Sequence, residues 1–138
     1  MVLVEKAVVY DIINQIGDTA TVIKKFTTEI DLGWLGGETP IPVTRATIVS
    51  GDRDLIPGEI ERLHQMYGAV VGDWESGGIA WVCRLNGVRL LILRGVSDLV
   101  GPDGGEAYDG KRFVWIEAAE KIITRLVESL PGWLVKLP

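Results

Sequence analysis

The stretch that decides the fold is Val70-Val-Gly-Asp-Trp-Glu-Ser-Gly-Gly-Ile-Ala80. Its first residues belong to a short apolar run, Ala69 to Gly72, which is typical of a buried strand. The apolar residues between Ile79 and Leu85 then have helical spacing, and Asn86-Gly87 is a pair typical of a helix C-terminus. A strand that passes directly into a helix predicts one βα unit, with two acids and a tryptophan at the turn between them.

The same alternation extends to both sides of this unit. Val43 to Val49 and Val88 to Val96 are short apolar runs suited to buried strands. A helix is predicted from Pro57 to a stop at Gly68, because proline is tolerated in a first turn and glycine ends helices. A long helix is predicted from about Lys111 to Leu130, with Ile116, Ala119, Ile123 and Leu126 on one face.

The amino-terminal part is rich in β-branched residues. Val4 to Tyr10 and Ala20 to Ile30, separated by the polar turn Gly17-Asp18-Thr19, predict a pair of strands. Strands that then alternate with helices predict the α/β class, with a mixed, largely parallel sheet flanked by helices. We expect one domain over residues 1–138.

Composition excludes several kinds of function. The chain has 138 residues and a formal net charge of −5 at pH 7, which disfavours nucleic acid as a partner. No apolar run is long enough to span a membrane, and the first residues do not resemble a targeting segment, so we expect a cytoplasmic protein. Cys83 is the single cysteine and His64 the single histidine, so neither a metal site nor a cofactor is predicted.

Acidic residues follow three of the predicted strands: Asp52, the cluster from Asp73 to Ser76, and Asp98. In open α/β sheets, ligands bind beyond the carboxyl ends of the strands, so these acids are expected in one crevice. The alternative is that the acids cap helix N-termini and that Trp74 is a core aromatic. Gly77-Gly78 indicates a close approach to the backbone, by a ligand or by a neighbouring element.

Three segments carry a family resemblance: V-S-G-D-R-D-L-I (49–56), V-V-G-D-W-E-S-G-G-I-A-W-V-C (70–83) and N-G-V-R-L-L-I-L-R-G-V-S-D (86–98). They resemble the carboxyl half of the nucleoside phosphorylase and nucleosidase superfamily, and most closely its methylthioadenosine/S-adenosylhomocysteine nucleosidases. The resemblance covers about Thr44 to Leu130. It implies cleavage of the N-glycosidic bond of a purine nucleoside.

The resemblance also implies roles for individual residues. Asp98 would protonate the purine at its nitrogen N7, and Glu75 would accept the hydroxyl protons of the ribose. Arg94 would point toward the nucleophile and Glu75, although an ordinary ion pair with Glu75 or Asp73 is the alternative. Trp74 would form a wall against the sugar and Leu55 a wall against the base. The remaining residues that the resemblance places at the substrate are Asp54, Asp73 and Ser97.

Other features of the family lie in an amino half that these segments do not include. We therefore expect a nucleosidase-like site that is incomplete in the isolated chain, and a partner in the form of a second copy or a complementing amino-half chain. A nucleoside-binding module without catalysis and a dimerisation module with capping acids are the alternatives. Hydrolysis and phosphorolysis both stay open.

Overall fold

The computed structural model describes residues 1–108, 110–111 and 113–137, and strands alternate with helices along most of it. In chain order the elements are β1 (Val2–Val9), α1 (Thr19–Phe26), β2 (Thr28–Glu29), β3 (Thr44–Ser50), α2 (Ile60–Tyr67), β4 (Ala69–Asp73), α3 (Ser76–Leu85), β5 (Leu93–Arg94), β6 (Val100–Gly101), β7 (Gly104–Gly105) and α4 (Phe113–Leu134). Short 3-10 turns lie at Gly33–Leu35 and Pro57–Glu59.

The main sheet is mixed, and its three longest strands are parallel. β1 pairs with β3 along its whole length, and β3 pairs with β4, so the strand order is β2-β1-β3-β4. Ser50 at the end of β3 lies opposite Asp73 at the end of β4. The predicted fold class, a largely parallel sheet flanked by helices, is confirmed, and two strand ends that carry polar residues lie side by side.

The core is built around β1, whose side chains are buried on both faces of the sheet. Leu3, Val4, Ala7 and Val8 are fully buried. Helix α3 packs against β1 and β3, α1 packs against β1, and α2 packs against β4. Helices on both faces explain why β1 reads as a nearly continuous apolar run, as strands of parallel sheets do.

The predicted strand from Ala20 to Ile30 is wrong over most of its length, because the segment forms α1 and only then the two-residue β2. Asp18 caps α1: its carboxylate accepts the backbone N–H of Ala20 at 3.2 Å and of Thr21 at 2.9 Å. It also accepts the hydroxyl proton of Thr21 at 2.6 Å. A satisfied N-cap outweighs the weak strand preference of β-branched residues.

The predicted strand from Val88 to Val96 is in the right place but too long, since only Leu93–Arg94 pairs as a strand. It runs antiparallel to β1, at Val2 and Leu3. β3 occupies one edge of β1, and β2 already pairs with Lys6 and Ala7 on the other. On the edge of β1 that β2 occupies, β5 can therefore pair only with the first residues of the strand.

Helix α4 also departs from prediction, since it continues through Pro131 to Leu134. Proline in a helix interior removes one backbone hydrogen bond, and packing offsets that loss here. Trp133 is only 2% exposed and lies in a core cluster with Leu3, Leu32 and Leu35. The burial of this side chain requires the extra turn.

The predicted inner face of α4 is only partly right. Ala119 and Leu126 are half-buried, but Ile116 and Ile123 are exposed, and the fully buried side chains of the helix are Ser129 and Trp133. The helix is rotated so that Ile122 packs against the backbone of Gly95, where an added Cβ would lie 2.2 Å from Ile122 Cγ2. One apolar face of α4 is thereby left exposed.

Candidate functional site

A cavity of about 280 Å³ opens beyond the carboxyl ends of β3 and β4. Its wall is formed by Arg53, Asp54, Leu55, Gly72, Asp73, Trp74, Glu75, Asp98, Val100 and Tyr108. The structure thus brings together six of the residues singled out in the sequence, namely Asp54, Leu55, Asp73, Trp74, Glu75 and Asp98. The roles assigned to them remain predictions.

A second cavity of about 350 Å³ adjoins the first and shares Leu55, Gly72, Asp73, Asp98 and Val100 with it. The other two predicted site residues, Arg94 and Ser97, line this second cavity. The Ser97 hydroxyl donates a hydrogen bond to Asp98 Oδ1 at 2.6 Å. This contact holds the Asp98 carboxyl at the junction of the two cavities.

The strand ends determine where the acids lie. Asp73 is the last residue of β4, and Glu75 comes immediately before α3. The side chain of Asp73 is only 12% exposed, whereas that of Glu75 is 57% exposed. Two acids two residues apart therefore occupy different environments, and Glu75 is the more exposed of the two.

The capping alternative holds for one of these acids and not for the other. Asp73 accepts the backbone N–H of Ser76 with both carboxylate oxygens at 3.2 Å, at the start of α3. Glu75 makes no side-chain cap hydrogen bond to that helix. Glu75 is therefore not explained as a helix cap.

Trp74 is 61% exposed, so the alternative that it is a core aromatic is wrong. Leu55 packs against Gly72 on the neighbouring wall, and a Cβ added to Gly72 would lie 3.0 Å from Leu55 Cδ1. Trp74 and Leu55 give the cavity two apolar surfaces beside its carboxylates.

Arg94 forms ion pairs with both acids. Its guanidinium contacts Asp73, and its Nη2 lies 3.1 Å from Glu75 Oε2. The ion pair that the sequence left open as an alternative is therefore present, with both candidate partners. A role for Arg94 toward a nucleophile remains a prediction.

The close approach predicted at Gly77-Gly78 is made by neighbouring strands and only at Gly77. A Cβ on Gly77 would lie 2.7 Å from Val9 Cγ2 and 3.0 Å from Ser50 Cβ. A Cβ on Gly78 would meet no atom within 4 Å. The first glycine is required by the packing of α3 on the sheet, so it does not indicate a ligand.

Comparison with known proteins decides the family. The profile described as the phosphorylase superfamily matches residues 20–130 of the chain. The chain belongs to the phosphorylase superfamily. The predicted resemblance to this superfamily is thereby confirmed.

Relatives of the chain within the phosphorylase superfamily are nucleosidases. The chain is 34% identical over 98 residues to a 5′-methylthioadenosine/S-adenosylhomocysteine nucleosidase of Mycobacterium tuberculosis (strain CDC 1551 / Oshkosh), and this match covers 69% of the chain and 37% of the relative. The chain thus spans less than two-fifths of the length of that relative.

Two solved structures have the same fold. Futalosine hydrolase of Helicobacter pylori superposes with a TM-score of 0.73 at 19% identity, covering 99% of this chain and 60% of that one. A Helicobacter pylori nucleosidase mutant with 5′-methylthioadenosine in its active site gives a TM-score of 0.72 at 18% identity, with the same coverage.

Tyr108 is a cavity residue of this phosphorylase-superfamily chain that the sequence did not single out. Its hydroxyl donates to the backbone carbonyl of Leu55 at 2.5 Å. Burial raises the pKa of Tyr108, and the nearby carboxylates of Asp54 and Asp98 raise it further. The phenol therefore stays neutral at physiological pH. The signal in the sequence that could have identified Tyr108 is a single aromatic residue inside a glycine-rich loop.

The walls of the cavity determine which chemistry it can support. Two carboxyl groups, Glu75 and Asp98, face one cavity that also has an aromatic and an aliphatic surface. A carboxylate can accept two hydroxyl protons, and a protonated carboxyl can donate to a ring nitrogen. Within the described ranges, no three His, Cys, Asp or Glu side chains converge as metal ligands, and no helix could cross a membrane.

Proposed function

We propose that the chain binds an adenosine-type purine nucleoside and supplies part of a site that cleaves its N-glycosidic bond. The observation that carries this proposal is the common cavity of Glu75, Asp98, Leu55 and Trp74. A site for a nucleoside requires one carboxyl group for the sugar, one for the base and two apolar walls. We further propose that the chain acts in the cytoplasm, in keeping with its single cysteine.

The proposed chemistry divides the work between the two carboxyl groups. Asp98 donates a proton to nitrogen N7 of the purine as the bond between the base and the anomeric carbon breaks, so the base leaves uncharged. The electron pair of that bond goes to the base, and positive charge develops on the sugar. Glu75 accepts hydrogen bonds from the two ribose hydroxyls, and its negative charge stabilises the developing cation.

The relatives support the ligand class. The Mycobacterium tuberculosis relative is named for 5′-methylthioadenosine and S-adenosylhomocysteine, and the Helicobacter pylori nucleosidase mutant holds 5′-methylthioadenosine in its active site. Both compounds contain an adenosine moiety. We propose that this moiety is what the cavity of the present chain recognises.

We propose that the exposed face of α4 docks on a second copy of this chain. That face, the α4 seam, consists of side chains that are 46–69% exposed and spaced alternately by three and four residues, apart from a charged residue at Glu120. Its apolar members are Phe113, Ile116, Ile123, Val127, Leu130 and Leu134. Such spacing is typical of a helix that packs along another helix.

The extent of the α4 seam supports a second copy as the occupant, and the charge at Glu120 bears on how the two helices are oriented. The α4 seam runs along the whole 22-residue helix, and each partner of a standard protein interface buries ~800 Å². Glu120 lies within the seam. Parallel helices in register would place the two Glu120 carboxylates together, so an antiparallel pairing is favoured.

A nucleoside-binding module without turnover is the second candidate. The observation that favours it is coverage, since the chain spans 37% of one nucleosidase and 60% of another solved chain. Groups that activate the nucleophile in those proteins can belong to the remaining length. A complementing chain that supplies these groups would turn the nucleoside-binding module into a complete site for cleavage of the N-glycosidic bond.

Isothermal titration calorimetry with adenosine, 2′-deoxyadenosine and adenine tests nucleoside binding, which both candidate functions require. We expect adenosine to bind most tightly, because only adenosine offers both ribose hydroxyls to Glu75. Equal affinity for all three ligands would contradict the proposal, because Glu75 would then have no part in binding.

A further inference from the structure

Ser76 joins the two charged groups that lie beside Glu75. It is almost completely buried at the start of α3. Its hydroxyl donates to Asp73 Oδ2 at 2.5 Å and accepts from Arg94, from Nε at 3.1 Å and from Nη2 at 3.0 Å. A hydroxyl has one donor and two acceptor positions, so the hydrogen-bonding capacity of Ser76 is fully used inside the protein.

Asp73 is likewise occupied by protein groups. Its Oδ1 accepts the Ser50 hydroxyl at 2.6 Å, and its Oδ2 accepts the Ser76 hydroxyl and pairs with Arg94. Both oxygens also accept the Ser76 backbone N–H. A carboxylate offers about four acceptor positions. Asp73 is therefore suited to hold Arg94 in place and has no oxygen left for a ligand hydroxyl.

Arg94 connects this buried cluster to the open carboxylate. Its Nη2 contacts Glu75 Oε2 at 3.1 Å. Among the residues that the structure describes, Glu75 Oε1 has no hydrogen-bond partner. The orientation of the guanidinium plane thus determines which Glu75 oxygen is held by the protein and which is free to meet a ligand.

We propose that Ser76 is a positioning residue for the Glu75 carboxylate. Its buried hydroxyl fixes the Arg94 plane through two contacts, and Arg94 in turn fixes Glu75. Without that hydroxyl, Arg94 keeps its ion pair with Asp73 but loses two acceptor contacts, so the guanidinium plane can turn about the remaining contact toward both Glu75 oxygens. A bidentate pair would then compete with the vicinal hydroxyls of a ribose. Ser76 therefore acts on the selectivity for a ribose over a 2′-deoxyribose.

This inference rests on the proposed function. The selectivity for adenosine over 2′-deoxyadenosine distinguishes a failure of this inference from a failure of the proposed function. Ser76→Ala in the full 138-residue chain should reduce the ratio of adenosine affinity to 2′-deoxyadenosine affinity by about tenfold, as expected for a weakened charge-assisted hydrogen bond. Affinity for adenine, which lacks the sugar, should stay within about twofold of the wild type. A loss that affects all three ligands equally would indicate general damage and would overturn the positioning role.

Ser129→Ala is the matched control. Ser129 is also buried, and its hydroxyl donates to the Leu126 carbonyl at 3.0 Å inside α4, away from the cavity. This variant should leave the affinity ratio unchanged. If Ser76→Ala does not fold, Ser76→Cys fills the site with a slightly larger but only weakly hydrogen-bonding group and should lower the ratio in the same direction.

The outcomes distinguish the two proposals. A wild-type chain that binds adenosine no better than adenine would overturn the proposed function, and this inference with it. A wild-type chain that prefers adenosine, together with a folded Ser76→Ala or Ser76→Cys variant that has the same preference, would overturn the role of Ser76 alone.

Discussion

Gly77 and Ser50 are in direct contact across the boundary between α3 and the sheet. The Gly77 backbone N–H donates to Ser50 Oγ at 2.8 Å, and a Cβ on Gly77 would lie 3.0 Å from Ser50 Cβ. We therefore expect Gly77→Ala to lower the free energy of unfolding by about 1 to 3 kcal/mol, as overpacking of a core does. Chemical denaturation monitored by circular dichroism measures this change.

Gly78→Ala is the control for that measurement, because the same substitution one residue later meets no atom within 4 Å. It should raise the free energy of unfolding by about 0.5 to 1 kcal/mol, the difference in helix preference between glycine and alanine. Two variants with equal stabilities would contradict the packing described for α3.

Glu75→Gln should remove most of the preference for adenosine over 2′-deoxyadenosine, by about 1 to 3 kcal/mol, because a neutral amide makes weaker hydrogen bonds to hydroxyls than a carboxylate does. Calorimetric titration of both nucleosides measures the preference. Glu61→Gln, on the exposed surface of α2, is the matched control and should leave it unchanged. A preference that survives in Glu75→Gln would assign ribose recognition to another residue.

The isolated chain should release adenine from methylthioadenosine at a rate near background. The general acid catalysis that we propose for Asp98 would be one contribution, and activation of the attacking group is a separate one worth about 10² to 10⁴ in rate. Adding the amino-terminal half of a related nucleosidase should raise the rate, and Asp98→Asn should then abolish most of the gain. Chromatographic measurement of adenine decides this, and rapid turnover by the unsupplemented chain would show that a residue of this chain activates the nucleophile.

Leu130→Glu should weaken self-association, because it places a second charge within the α4 seam. Sedimentation velocity should show a shift from dimer to monomer at equal protein concentration. Ile16→Glu is the control, since Ile16 is fully exposed and lies in the loop before α1. A wild-type chain that is monomeric at high micromolar concentration would contradict the proposed second copy.

Asp18→Asn should destabilise the chain at neutral pH and have little effect in acid. Hydrogen bonds from the Thr21 hydroxyl and from two backbone N–H groups hold the pKa of Asp18 below its usual range. The stabilisation is present above the unfolded-state pKa of about 3.9 and is lost as pH falls through the lower folded-state value. Thermal melts of the two proteins should draw closer together as the pH is lowered from 7 to below the unfolded-state pKa of about 3.9.

The sequence predicted the centre of the fold well because its signals there are local. Gly68 ends α2 in the left-handed conformation, with φ 66°, and the apolar run before Asp73 forms β4 as expected. The alternation of these elements was sufficient to predict a largely parallel sheet. It was also sufficient to place Glu75 and Asp98 on one cavity.

The parts that were predicted wrongly depend on distant contacts or on a single cap. Residues 20 to 26 have the composition of a strand, and the carboxylate of Asp18 makes them a helix. The length of β5 depends on how β2 shares an edge of β1, and the end of α4 depends on where Trp133 is buried. Tyr108 reaches the cavity through the fold of a long loop, which residue spacing does not reveal.

The packing of Trp133 against Leu3 also bears on how the chain folds. The two residues lie far apart in the sequence, yet they share one core cluster with Leu32 and Leu35. Such non-local contacts raise the contact order and slow folding, because a long loop must close before the contact forms. During synthesis the ribosome must release α4 before β1 acquires its last neighbour. A nascent chain will therefore hold Leu3 partly exposed to solvent until α4 has left the ribosome.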